Sequence, residues 1–116
     1  MIERKRGHIL AICSMVAKVT YPLATVYCAT QHGIDGFMNA LYDELSVKDQ
    51  DEFIKLTTAY PGFINTSKYM SDMLDNLCSS PRLSPGYTAK SIVNALLQNK
   101  RSIIIPGSAH FVRLIQ

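Results

Sequence analysis

The first sustained apolar run in the chain is His8-Ile9-Leu10-Ala11-Ile12-Cys13, opened by Gly7 and rich in branched residues. A run this short, with no polar alternation, predicts a strand buried on both faces, as in a parallel sheet. The period then changes. From Leu23 to Val47 apolar residues recur at threes and fours (Val26, Ala29, Ile34, Phe37, Met38, Leu41, Leu45), which predicts one long amphipathic helix. Gly33 and Gly36 lie inside it, each at a cost of about 1 kcal/mol relative to alanine. A helix that keeps them is expected to pack closely against another backbone. The polar stretch Lys48-Asp49-Gln50-Asp51-Glu52 reads as a surface loop. Phe53 to Tyr60 is the second strand, stopped by Pro61-Gly62. Residues 63 to 84 read as irregular, with a short helix over Met70 to Leu77. Ser84-Pro85 combines a capping side chain with proline at the first helical position. The helix it opens runs to Gln98, with Ala89, Ile92, Val93, Leu96 and Leu97 on its inner face. Ser102 to Ile105 is the third strand, closed by Pro106-Gly107, and His110 to Gln116 reads as the first turns of a further helix.

The order strand, helix, strand, helix, strand predicts an α/β fold: a parallel sheet with right-handed crossovers. At 116 residues the chain is long enough for one domain and one core. Its hydrophobic fraction of 47% and charged fraction of 18% are those of a globular protein. A net charge of +3, without a basic stripe, argues against a nucleic-acid partner. The one basic cluster, Arg4-Lys5-Arg6, reads as a solvated turn. Cys13, Cys28 and Cys78 are isolated, with neither CxxC nor histidine-rich spacing, which argues against a metal site and against a disulfide framework. A reducing or cytosol-facing environment fits them. No stretch reaches the roughly 18 apolar residues of a membrane span.

The candidate chemistry lies at the end of the first strand. Ser14 stands at its carboxyl edge, where open α/β sheets bind ligands. Tyr27 follows thirteen residues later, in the first turns of the long helix. Gln31 is at i+4 and shares a face with it. Serine and tyrosine hydroxyls converging there would polarise and protonate one substrate oxygen. His32 lies about 140° around the helix from Tyr27 if the geometry is regular. His32, His8 and His110 are read as surface or packing residues. Met70, Met73, Leu74 and Leu77 would either line an apolar substrate pocket or cover the core as a short amphipathic helix. Phe111, Val112, Leu114 and Ile115 would either touch a lipid surface or begin a core helix.

Taken together, Gly7-His8-Ile9-Leu10, Ser14, Pro22, Tyr27-Cys28-Ala29-Thr30 and Gly36-Phe37 resemble the active-site segment of the short-chain dehydrogenase/reductases. Pro61-Gly62-Phe63-Ile64-Asn65-Thr66 resembles the later proline-glycine motif of that family. The resemblance covers nearly the whole chain. Met1-Ile2-Glu3 before the Gly-His strand, and the Ile103-Ile104-Ile105-Pro106 ending, look like the retinol and 17-beta-hydroxysteroid dehydrogenases of the endoplasmic reticulum and lipid droplets. The implied fold is a partial Rossmann-like, doubly wound parallel sheet, the carboxyl half of the family's domain, lacking its amino-terminal dinucleotide-binding half.

The resemblance also implies roles. Ser14 would hold the substrate carbonyl or hydroxyl, and Tyr27 would be the general acid/base. Tyr27, Gln31, Pro61, Gly62, Ile64 and Thr66 would border an NAD or NADP cofactor, the last four at its nicotinamide end. The substrate would be a hydrophobic alcohol or ketone, retinoid- or steroid-like. The expected location is the endoplasmic reticulum or a lipid-droplet surface, facing the cytosol. Three departures from the family pattern qualify this. Gln31 stands where the family has lysine, whose ammonium favours the phenolate of the neighbouring tyrosine. Glutamine carries no charge, although it can still hydrogen-bond a ribose hydroxyl. Loss of a tuned acid/base costs on the order of 10²–10⁴ in rate. The family's glycine-rich phosphate loop and active-site asparagine belong to a segment upstream of these residues, and Gly33 with Gly36 does not fit a dinucleotide fingerprint. Ala17 replaces a usual glycine. The expectation is an oxidoreductase by family whose isolated segment is inactive. The alternative is a non-catalytic pseudoenzyme, or a dimerisation partner that pairs with a second copy or a full-length homologue through the Tyr27-bearing helix.

Overall fold

A computed structural model describes residues 1–68, 72 and 82–107 of the chain. The short helix expected over Met70–Leu77, the candidate pocket residues on it, Cys78, and the helix expected from His110 lie outside the described residues. The elements are β1 (Gly7–Ile12), a single 3₁₀ turn at Met15–Ala17, α1 (Thr25–Val47), β2 (Ile54–Pro61), α2 (Pro85–Leu97) and β3 (Ser102–Ile105). The strands form one parallel sheet in the order β1-β2-β3. Gly7 is opposite Ile54 and Ile12 opposite Ala59, while Thr58 is opposite Ser102 and Pro61 opposite Ile105.

Strand side chains alternate between faces, and that alternation shows where each helix lies. Ile9, Ala11, Ile54 and Leu56 pack with Met38 and Leu45 of α1. The opposite set, Leu10, Ala59, Ile103 and Ile105, packs with Ile92 of α2. The helices therefore cover opposite faces, and the sheet is doubly wound. This corrects the expected handedness. Two crossovers that step in the same direction along a sheet, with helices on opposite faces, cannot share a hand. One is right-handed and the other left-handed.

Four further expectations are corrected. The fully buried strand is β2, not β1: β1 is partly exposed, and Ile12 at its end is 62% exposed. An apolar run does not say whether a strand is central, and β1 pairs on one side only among the described residues. On α1 the core face is Cys28, Met38 and Leu45, with Ile34 and Leu41 partly buried, while Val26 and Phe37 face outward. On α2 the buried residues are Thr88, Ile92 and Ala95, and Val93 and Leu97 are exposed. Ala89, Val93 and Leu97 form their own i, i+4, i+8 stripe beside the buried one. Gly33 and Gly36 face open space, since a Cβ at either would meet nothing within 4 Å.

The helix boundaries have local causes. The Ser84 hydroxyl accepts from the Tyr87 N–H at 3.2 Å, with Pro85 in the first turn, as the sequence predicts. Both helices stop by the same device. Past α1, Asp49 adopts φ 51°, its N–H reaches Ser46 O, and the Gln50 N–H reaches Leu45 O. Past α2, Asn99 adopts φ 53°, its N–H reaches Leu96 O, and the Lys100 N–H reaches Ala95 O. Both are Schellman motifs with Asp or Asn in the left-handed position that glycine commonly fills.

Candidate active site

β1 carries the chain to the carboxyl edge of the sheet, and Ser14 follows immediately. Its backbone is extended (φ −143°, ψ 158°), and its side-chain oxygen accepts from the Val16 N–H at 3.3 Å. Ser14 thus caps the turn Met15–Ala17, whose three residues are all buried. The bond orients the oxygen and leaves the hydroxyl proton to be donated elsewhere. Cys13, just before it, directs its Sγ at the backbone O of Gln31, 3.4 Å away. This contact fixes the strand end against the turn of α1 that follows Tyr27. Burial pushes the Cys13 thiol up from its ordinary value, which suits packing better than reactivity.

Tyr27 lies in the first turn of α1 and is 51% exposed, while its backbone O accepts from Thr30 Oγ1 at 2.8 Å. Gln31, one turn on, is partly buried. The proline-glycine motif reaches the same edge from β2. Pro61 ends the strand, and the Gly62 N–H donates to Ile105 O at 2.7 Å. Ile64 bridges to Leu83, and the Asn65 and Leu83 amides donate to Leu83 O and Phe63 O. The Thr66 N–H donates to Ile64 O at 3.0 Å. Phe63 meets Tyr21, from the loop before α1, edge to face at 5.6 Å between ring centres. The segment carrying Pro61, Gly62, Ile64 and Thr66 is therefore docked against the loop that leads to Tyr27.

The reading of isolated residues missed one polar cluster entirely. Asp35 accepts from Lys18 Nζ at 2.8 Å, from the Tyr60 hydroxyl at 2.5 Å and from Asn39 Nδ2 at 3.3 Å. The Lys18 ammonium also sits 4.6 Å from the Tyr60 ring centre. Burial works against ionisation of Asp35, but the hydrogen bonds from Lys18 and Tyr60 outweigh it and hold its carboxyl below the usual range. Burial and Asp35 push the Tyr60 phenol up. Lys18, opposed by its own desolvation, is held above its ordinary value by the hydrogen bond to Asp35. No sequence signal joins its members: Lys18 and Tyr60 lie 17 and 25 residues from Asp35. A cleft of about 230 Å³ opens beside this cluster, lined by Asn39, Tyr42, Thr58, Arg101 and Ser102 among others. Its lining includes neither Ser14, Tyr27 nor Gln31, and it reaches the amino end of β3 at Arg101 and Ser102.

The two described histidines have structural partners. His8 is hydrogen-bonded through Nε2 to Thr57 Oγ1 at 2.8 Å, and that hydroxyl donates to Lys100 O. Because the threonine proton is committed, His8 Nε2 carries the hydrogen in this contact. His32 contacts only its own helix, Nδ1 to Cys28 O at 2.9 Å. Among the described residues, no group of three or more His, Cys, Asp or Glu could hold a metal ion.

This arrangement has counterparts among known proteins. The family model for short chain dehydrogenases matches residues 1–76. Dehydrogenase/reductase SDR family member 7B of Rattus norvegicus is 42% identical over 128 residues, which cover 99% of this chain and 38% of the relative. Estradiol 17-beta-dehydrogenase 11 of Macaca fascicularis is 27% identical over 116 residues, covering 100% of this chain and 37% of the relative. A short-chain dehydrogenase from Streptomyces avermitilis superposes with a TM-score of 0.69 at 20% identity, over 90% of this chain and 44% of that one. The chain belongs to the short-chain dehydrogenase family, and it spans well under half the length of the relatives it matches. Its parallel, doubly wound sheet is the matching part of that family's fold.

Proposed function

We propose that this chain carries the substrate-side half of an NAD(P)-dependent oxidoreductase site that acts on a hydrophobic alcohol or ketone, retinoid- or steroid-like. The observation that carries the reading is the convergence of three segments at one sheet edge. Ser14 at the cap of its turn, the half-exposed Tyr27 and the Pro61–Thr66 segment are tied together by the Cys13–Gln31 and Tyr21–Phe63 contacts. Ser14 donates its hydroxyl proton to the substrate oxygen and holds the reacting carbon over the edge. Tyr27 gives a proton to that oxygen in reduction and takes it back in oxidation. The dinucleotide, when bound, supplies or accepts the hydride. Pro61, Gly62, Ile64 and Thr66 would border its nicotinamide end, and Tyr27 with Gln31 would hold its ribose. The partly exposed Ile64 and exposed Thr66 fit that placement. Among the described residues no glycine-rich loop joins a strand to a helix.

The matched relatives named for estradiol support a steroid-like substrate, and the resemblance of Met1-Ile2-Glu3 and Ile103–Pro106 to the retinol and 17-beta-hydroxysteroid dehydrogenases supports an endoplasmic reticulum or lipid-droplet location. No helix among the described residues is long and apolar enough to cross a membrane. A fluorescence titration with NADPH tests the division of labour. The isolated chain should show no saturable binding, and binding should appear once an amino-terminal segment of a relative is joined to it. Tight binding by the chain alone would overturn the reading.

One observation favours a second reading, a non-catalytic partner that pairs through α1. Val26 and Phe37 on that helix are 78% and 64% exposed, and Gly33 and Gly36 leave its outer face open to another backbone. Sedimentation of the chain and of Phe37→Asp separates the two. A dimer abolished by the substitution supports pairing, and a monomer in both cases removes it.

A further inference from the structure

We propose that Lys18, Asp35 and Tyr60 form a clasp that sets the position of Ser14 against Tyr27, an inference that rests on reading those two residues as the chemistry-bearing pair. The three partners come from three separate segments, and each is adjacent to a piece of the site. Lys18 follows the 3₁₀ turn that Ser14 caps. Asp35 lies on α1 at i+8 from Tyr27, on the face that also carries Gln31. Tyr60 immediately precedes Pro61-Gly62. One carboxylate joins all three, through Lys18 Nζ at 2.8 Å and the Tyr60 hydroxyl at 2.5 Å.

The clasp acts on the one segment whose orientation the regular elements leave open. α1 and β2 are held to each other by Met38, Leu45, Ile54 and Leu56. The link between β1 and α1 has only the single turn Met15–Ala17 and packs through Cys13, Met15 and Ala17 against Tyr60. Apolar packing holds such a turn at its depth but is non-directional. A charge-assisted bond to a fixed carboxylate has direction and length. The same clasp leaves the chemistry to others: two helical turns put Asp35 about 12 Å along the axis from Tyr27. Lys18, Asp35 and Tyr60 are therefore positioning residues and not catalytic ones.

Amide hydrogen exchange on the full chain tests this without any cofactor or turnover. The amides of Ala17 and Val19 donate to Ser14 O and Met15 O and report the turn, while those of Thr58 and Gly62 donate to Arg101 O and Ile105 O and report the sheet. Asp35→Ala should speed exchange at Ala17 and Val19 by about tenfold and leave Thr58 and Gly62 unchanged. Lys18→Met, at a partly exposed site where misfolding is not at issue, should do the same, and Asp35→Glu should recover most of the protection. Unchanged exchange at Ala17 and Val19 in both loss variants would overturn the clasp. So would a rise at all four amides together, which would assign Asp35 to general stability. Absence of hydride transfer in a completed enzyme that keeps Lys18, Asp35 and Tyr60 would count against the proposed function, while the exchange results would still decide the clasp.

Discussion

Tyr60→Phe removes a single oxygen from the core. In the folded chain that oxygen belongs to a residue only 3% exposed and donates its proton to Asp35 Oδ1 at 2.5 Å. A hydrogen bond to a charged group contributes about 1.5–3 kcal/mol. Two features lower the expected loss. Asp35 keeps Lys18 and Asn39, and its side chain is 16% exposed, so water can replace the missing donor. The expected cost is about 1 kcal/mol, or roughly 5 °C in Tm for a domain of this size. Its pH dependence follows from Asp35. A carboxylate whose folded pKa is depressed contributes stability above its unfolded pKa and loses it as pH falls through the folded value. Burial opposes the Asp35 charge, and the bonds from Lys18 and Tyr60 overcome it, so Asp35 is such a group. The deficit of Tyr60→Phe should be full near neutrality and shrink as pH drops below the usual carboxylate range. The Tyr60 phenol, raised by burial and by Asp35, works the other way. Its share is present below the ordinary tyrosine value and is lost as pH rises through the raised one. Urea titrations followed by far-ultraviolet circular dichroism, run at neutral and at stepwise lower pH, measure the difference. An equal deficit at every pH, or none at neutrality, would refute the reasoning.

Ile105→Ala empties a site that is 1% exposed and packed on Ala59 and Ile92, and should cost about 2–5 kcal/mol in the same urea assay. Ser84→Ala removes the cap bond to the Tyr87 amide and should cost about 0.5–2 kcal/mol, whereas Ser84→Asp should retain stability. A larger loss from Ser84→Ala than from Ile105→Ala would show that α2 is not held by the packing described.

The elements were legible because period and punctuation agree. Gly7 to Cys13 has no polar alternation, Leu23 to Val47 repeats at threes and fours, and Ser84-Pro85 and Pro61-Gly62 mark a start and a stop. The depth of each element was not legible. Val26, Phe37, Val93 and Leu97 are as apolar as Met38 and Ile92, and only the sheet decides which of them it meets. The hand of the second crossover depends on which face α2 covers, and pattern alone does not carry that. Asp49 and Asn99 end their helices in a conformation for which glycine is the stronger written signal. For the candidate site, spacing singles out Ser14 and Tyr27, and the structure puts one directly after β1 and the other in the first turn of α1. The Lys18–Asp35–Tyr60 cluster could not be found that way, because its members are far apart in sequence and each reads singly as an ordinary surface or strand residue.

The central claim is that Tyr27 is the acid/base of a site from which Gln31 has removed the cation. The direct measurement is NADPH oxidation with a hydrophobic ketone, using this chain joined to the amino-terminal segment of a short-chain dehydrogenase relative. With Gln31→Lys the rate should rise on the order of 10²–10⁴-fold. Adding Tyr27→Phe to that variant should abolish it while NADPH binding persists. Equal rates with and without the tyrosine hydroxyl would contradict the account.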